Sequence, residues 1–137
     1  MLLLRHASAG DREHWAGADH ERPLDERGWA QAEALVETLA PYRINAILTS
    51  PYVRCVQTVA PLARALGLDP QVRDELSEEL QATEGIALVR ARAGEEIVVC
   101  GHGGLHDALA DPPKWRKGAT FVVDASLELL TELPPPR

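Results

Sequence analysis

Apolar residues in this chain gather in short continuous runs, separated by longer stretches in which they recur every three or four positions. Leu2-Leu3-Leu4, Ile44 to Thr49 and Ile97-Val98-Val99-Cys100 have the length and composition of strands buried on both faces, and a further short strand is expected at Val72. Ala32, Leu35, Val36 and Leu39 share one helical face, so a helix is predicted from an Asp25 N-cap to about Ala40, with Pro41 as its stop. Ser50-Pro51 reads as a second helix start, serine as N-cap and proline at the first helical position. That helix runs through Arg54 and Thr58, kinks at Pro61 and ends at Leu66-Gly67. Ser77 is expected to cap a third helix reaching about Ala93 before Gly94, and a short helix should follow Gly104. Thr120 to Val123 and Leu127 to Leu130 read as a closing pair of strands. Ala9 to Arg22, with Gly10, Gly17 and four acidic residues, reads as an exposed loop, and Pro134-Pro135-Pro136-Arg137 as an unstructured tail. Strands alternating with helices predict an α/β three-layer sandwich around a mostly parallel sheet, a single domain over residues 1–137 without repeats or linkers.

Composition narrows the function classes. A 137-residue chain that is 45% hydrophobic and 26% charged is long enough to bury a full core. Its net charge of -7 argues against nonspecific binding to nucleic acid or acidic membranes. An anionic substrate stays open, because a site obeys its local charges, which must then form an island of Arg and His. No run approaches the ~20 apolar residues of a membrane span, and Met1 to Leu4 is too short for a signal-peptide core. Cys55 and Cys100 lie far apart and form no CxxC pair, which points to reduced thiols and a cytoplasmic protein. Cys100 reads as a small buried hydrophobe, and the neighbouring arginine is the one argument for a reactive Cys55.

Two of the apolar runs end in histidine. Leu4 leads into Arg5-His6 and the small residues Ala7, Ser8, Ala9 and Gly10; Cys100 leads into Gly101-His102-Gly103-Gly104. Strand ends of an open parallel sheet point into its ligand crevice, so two imidazoles and Arg5 are expected to meet there. Small residues leave room for a bulky anion, and a largely unprotonated histidine can accept a phosphoryl group. Arg54 falls near the start of a helix, where N–H groups and a guanidinium both attract phosphate. No acidic residue lies between Tyr42 and Leu68, so a local ion pair does not account for it. A metal centre on His6, His102 and His106, with Asp107, is the competing arrangement, but no HExxH or carboxylate-rich spacing supports it.

These segments occur in a familiar order. Leu-Leu-Arg5-His6-Ala7, Arg22-Pro23-Leu24-Asp25-Glu26-Arg27-Gly28, Thr49-Ser50-Pro51-Tyr52-Val53-Arg54-Cys55-Val56-Gln57-Thr58 and Val99-Cys100-Gly101-His102-Gly103 resemble the histidine phosphatase superfamily. That superfamily includes the phosphoglycerate mutases and acid phosphatases. The chain looks most like its short branch, which holds bacterial phosphohistidine phosphatases, and it also resembles the phosphatase half fused to Nudix domains in some actinobacteria. It implies a phosphoglycerate mutase-like fold and a phosphatase acting on a phosphorylated metabolite or phosphoprotein, without metal or other cofactor. His6 would be the nucleophile, Arg5 and Arg54 would bind phosphoryl oxygens, and His102 would stabilise the group in transfer. Arg22 and Ser8 would be substrate contacts. The family often keeps its general acid in a Leu-x-Glu pattern, which Leu76-Ser77-Glu78 matches; Glu75 is the second candidate. Mutase activity and a noncatalytic phosphate-binding adaptor are the rivals. Compact length argues against the first and the intact Arg5, His6, Arg54 and His102 set against the second. Specificity is expected in the Ala9 to Arg22 loop and in Asp111 to Lys117, a basic segment that suits either a long anionic substrate or a solvated turn. Substrate and oligomeric state stay open.

Overall fold

A computed structural model describes residues 1–137. Its single sheet contains β1 (Leu2–Arg5), β2 (Ala46–Thr49), β3 (Gln71–Val72), β4 (Ile97–Gly101), β5 (Thr120–Val123) and β6 (Leu129–Leu133), in the order β3-β2-β4-β1-β5-β6. The first four strands of that order are mutually parallel, while β5 runs antiparallel to both β1 and β6. The mostly parallel α/β architecture is as expected.

Strand alternation divides the core. Leu2, Leu4, Ile47, Val98 and Cys100 face α1 (Glu26–Thr38) and α2 (Val53–Leu66), meeting Leu35, Leu39, Val59 and Leu62. Leu3, Leu48, Val99 and Phe121 face the other way, onto α3 (Ile86–Ala91) and the turn Gly103–Ala108, through Val89, Leu105 and the buried Trp115. Both faces of β1 and β4 are thereby covered, which is why these strands read as unbroken apolar runs.

Several boundaries differ from the sequence reading. Asp25 does cap α1, its carboxylate accepting from the Gly28 N–H at 2.7 Å, but the helix ends at Thr38. Strand β2 begins at Ala46, two residues after Ile44. Ser50 is not the N-cap of α2; that position belongs to Tyr52, because the Ser50 hydroxyl accepts from the Tyr52 N–H and pairs with His102. The helix continues through Pro61 and ends on Gly67, which adopts a left-handed φ of 67°. Ser77 caps no helix either. It closes a 3-10 turn over Asp74–Leu76, and the following helical stretch opens with a π turn, Gln81–Gly85, before α3. The last strand is displaced from Leu127–Leu130 to Leu129–Leu133, because Asp124 accepts from the Ser126 and Glu128 N–H groups and holds Leu127 at a φ of 60° in a tight turn. Within the exposed loop, Arg12–His14 and Asp19–Glu21 form 3-10 turns. No helix is long and apolar enough to cross a membrane.

Candidate active site

Parallel register brings the ends of three strands level. Leu4 pairs with Cys100, Arg5 with Gly101, and Thr49 with Cys100. Just beyond, the His6 N–H donates to the Gly101 carbonyl at 3.1 Å and the Ser50 N–H to the Cys100 carbonyl at 3.0 Å. His6, Ser50 and His102 therefore emerge together at the carboxyl edge of the sheet, with ring centroids of the two histidines 5.6 Å apart. The cavity above them has a volume of about 710 Å³, and no hydrophobic side chain lines it. Arg5, His6, Arg22, Arg54, Glu78 and His102 all contribute to its wall.

His6 is buried, and its Nδ1 lies 2.8 Å from the Ala7 carbonyl. A carbonyl can only accept, so Nδ1 carries the proton and Nε2 is left as a bare lone pair. Burial, and after it the charges of Arg54, His102 and Arg5, push the imidazole down to about 2, although the Ala7 bond opposes this. It is neutral across the physiological range. The loop after it is tied to α2: the Ala7 N–H donates to Thr58 Oγ1 at 2.9 Å, and that hydroxyl donates to the Arg54 carbonyl at 2.6 Å.

His102 places Nε2 2.9 Å from Ser50 Oγ and 3.7 Å from Cys55 Sγ, while Nδ1 is buried without a partner and sits 4.0 Å from Glu78. Tyr52 meets its ring edge-on at 4.6 Å. Gly103 lets the backbone pass close to Arg5, since a Cβ on it would stand 3.2 Å from the guanidinium carbon and the side chain would have to shift. Arg5 donates from Nη1 to the Trp115 carbonyl, and burial, with the charge of Arg54, lowers its pKa against the opposing pull of Glu78.

Arg54 lacks a local acid but finds two distant ones. Its Nη2 donates to Glu78 at 2.8 Å and to Asp19 at 3.1 Å, and Nη1 donates to the Asp19 carbonyl at 2.9 Å. Glu78 also accepts from Arg12 at 2.8 Å. Two carboxylates thus hold a buried guanidinium that has no partner within its own segment. Planar guanidinium donors beside one buried, unprotonated imidazole have the chemistry to receive a tetrahedral oxyanion.

A family model, that of the histidine phosphatase superfamily (branch 1), matches residues 1–88. The chain belongs to that superfamily. It is 36% identical, over 145 aligned positions, to an 8-oxo-(d)GTP phosphatase of Mycolicibacterium smegmatis, a match covering 92% of this chain and 44% of that protein. A bifunctional protein of Mycobacterium tuberculosis is 35% identical over 116 positions, covering 82% and 31%. The chain spans less than half the length of these curated relatives. Among solved structures, the protein histidine phosphatase SixA complexed with tungstate superposes with a TM-score of 0.80 at 22% identity, covering 98% of this chain and 96% of that one. A putative SixA phosphohistidine phosphatase from Agrobacterium tumefaciens gives 0.77 at 29% identity with the same coverage. The phosphoglycerate mutase-like fold is accordingly the superfamily's own.

Six of the eight candidate residues meet in the one cavity. Ser8 does not line it; its hydroxyl donates to Asp25 at 2.8 Å, and it fastens the loop to the start of α1. Glu75 pairs with Arg73 at 2.6 Å and also lies off the cavity wall. Arg22 is buried and lines the cavity while bonding Asp19 at 3.2 Å and the Ala9 carbonyl. His106 stacks on Trp115 and is not part of the wall, so the three histidines weighed as ligands do not converge. Sequence reasoning missed Gln81, whose Oε1 is buried on the cavity wall without a partner. Gly104 was the available signal, since a Cβ there would lie 3.0 Å from the Gln81 amide.

Proposed function

We propose that this chain hydrolyses a phosphate monoester or phosphoramidate, from a small metabolite or a phosphoprotein, through a phosphohistidine on His6. One observation carries the reading: His6 Nδ1 is spent on the Ala7 carbonyl, which leaves an unprotonated Nε2 beside Arg5, Arg54 and His102. Phosphoryl transfer is mostly positioning and stabilisation of charge on the equatorial oxygens, and these donors supply both. Nε2 attacks phosphorus as the bond to the leaving atom breaks; Glu78, a carboxylate paired with Arg54 and Arg12 in the free protein, takes the proton of the incoming phosphate monoanion and passes it to that atom. Water then attacks the phosphohistidine, passes a proton by way of Glu78 and releases orthophosphate with His6 restored. The phosphatase names of the relatives support the class of reaction, and the two free cysteines suit a cytoplasmic setting.

Trapping tests this reading. Brief incubation with a radiolabelled aryl phosphate should leave a label that survives alkali and is lost in acid, and His6→Ala should lose both label and turnover. A label retained in that variant rejects the assignment. Glu78→Gln should lower turnover of an alkyl phosphate by about 10²–10⁴-fold while sparing phosphoenzyme formation from nitrophenyl phosphate, whose leaving group needs no acid. Equal losses on the two substrates would make Glu78 a structural residue.

A further inference from the structure

The basic segment Asp111 to Lys117 is not absorbed by the chemistry at His6, and the structure gives it a place. A second cleft of about 810 Å³ opens beside the catalytic cavity and shares Arg5 and Lys117 with it. Arg27, Lys114, Arg116 and Arg137 add their cations to its lining, and no Asp or Glu side chain does so. Arg27, Lys114, Arg116 and Lys117 join none of the protein's ion pairs, although the chain as a whole carries a net charge of -7. An acidic protein that leaves four cations without a salt-bridge partner along one cleft has concentrated positive charge there.

The turn that carries these side chains is fixed to the catalytic strand. The Gly118 N–H donates to the carbonyls of Arg5 at 3.1 Å and His6 at 3.0 Å, and Arg5 donates back to the Trp115 carbonyl. Trp115 is buried, donates to the Ala119 carbonyl at 3.0 Å and stacks on Phe121. Gly118 makes the reversal with a φ of 84°. Burial, followed by the charges of Arg5, Arg22 and Arg54, lowers the Lys117 pKa, so its ammonium already senses the catalytic arginines. The two clefts meet at Arg5 and Lys117, which line both.

We infer that the Lys114–Lys117 turn and Arg27 bind a second anionic phosphoryl group of the same small substrate, making organic di- and polyphosphates the substrate class. This rests on the phosphatase reading for events at His6 and adds a claim about what the remainder of the substrate carries. A solvated basic turn would not share two cations with the reaction cavity or be tied by three hydrogen bonds to its nucleophile strand. An acidic protein docked on this face is the other occupant, and it would not favour a compact polyphosphate.

Competition against nitrophenyl phosphate turnover decides it, with inorganic orthophosphate and tripolyphosphate as probes. In the wild type, tripolyphosphate should bind about tenfold tighter than orthophosphate, an advantage that shrinks as ionic strength rises. Lys114→Ala combined with Arg116→Ala should remove most of that advantage while changing kcat/KM for nitrophenyl phosphate by less than about twofold. Arg27→Ala, on a different element, should act in the same direction. Equal binding of the two probes to the wild type overturns the inference, as does an advantage that survives both variants. If nitrophenyl phosphate is not turned over at all, the phosphatase reading fails instead, and calorimetric titration of the same probes still decides the cleft.

Discussion

An imidazole buried beside guanidiniums gives up its proton, since both the lost hydration and the neighbouring charge penalise the cation. For His6 the consequence extends to stability. The folded state holds it neutral down to about 2, whereas in the unfolded chain it protonates near the ordinary 6.5. Between these values the unfolded state binds the extra proton, so stability is full above 6.5 and falls as the pH is lowered. The slope approaches about 1.4 kcal/mol per pH unit. Chemical denaturation at pH 7 and pH 4.5 should show the wild type losing roughly 2–3 kcal/mol more than His6→Asn over that interval. Parallel losses would mean that the imidazole is hydrated enough to titrate normally. At this scale the sequence was most informative: Arg5, His6 and His102 were legible because each closes an apolar run. Asp19 and Gln81 were not, because what brings them to the site, Arg54 for the first and Gly104 for the second, is far away in sequence and leaves no local mark.

Elements were legible where the apolar pattern alone decides them and obscure where a polar side chain has two possible partners. Asp25 caps α1 as read, but Ser50 and Ser77 do not cap, since the first is engaged by His102 and the second is buried in a 3-10 turn. A hydroxyl's choice between its own backbone and a distant ring leaves no trace in local sequence. Gly28 shows the converse, a small residue whose necessity appears only in three dimensions. A Cβ at Gly28 would fall 1.9 Å from the Ser8 carbonyl oxygen, which accepts from the Asp25 N–H at 3.2 Å. Helix α1 therefore packs against the loop after His6 at backbone contact distance. Alanine in place of glycine ordinarily gains up to ~1 kcal/mol within a helix. Gly28→Ala should instead cost about 3 kcal/mol in denaturant unfolding, as overpacking displaces α1 or the loop. A stabilised variant would show that the interface gives way easily.

At the scale of the whole molecule, one guanidinium joins three distant segments. Arg54, only 1% exposed, is held by Asp19 from the loop over the site and by Glu78 from the connection after β3, and Arg12 closes the ring onto both carboxylates. Burial raises the Asp19 pKa, but its bonds from Arg22 and Arg54 outweigh that and hold it below the usual carboxylate range. Asp19 is therefore anionic at neutral pH, with its charge beside the donors that phosphate would use. A bound phosphate and the Asp19 carboxylate compete for Arg54 electrostatically, even where both fit. Asp19→Asn keeps the shape and an acceptor oxygen while removing the charge. It should tighten inhibition by orthophosphate about two- to fivefold, the scale of one partly exposed ion pair. The same variant should melt a few degrees lower without ligand, because Arg54 stays buried with one carboxylate fewer. Weaker phosphate binding would show the reverse dependence, with Asp19 holding Arg54 in the orientation that receives the anion.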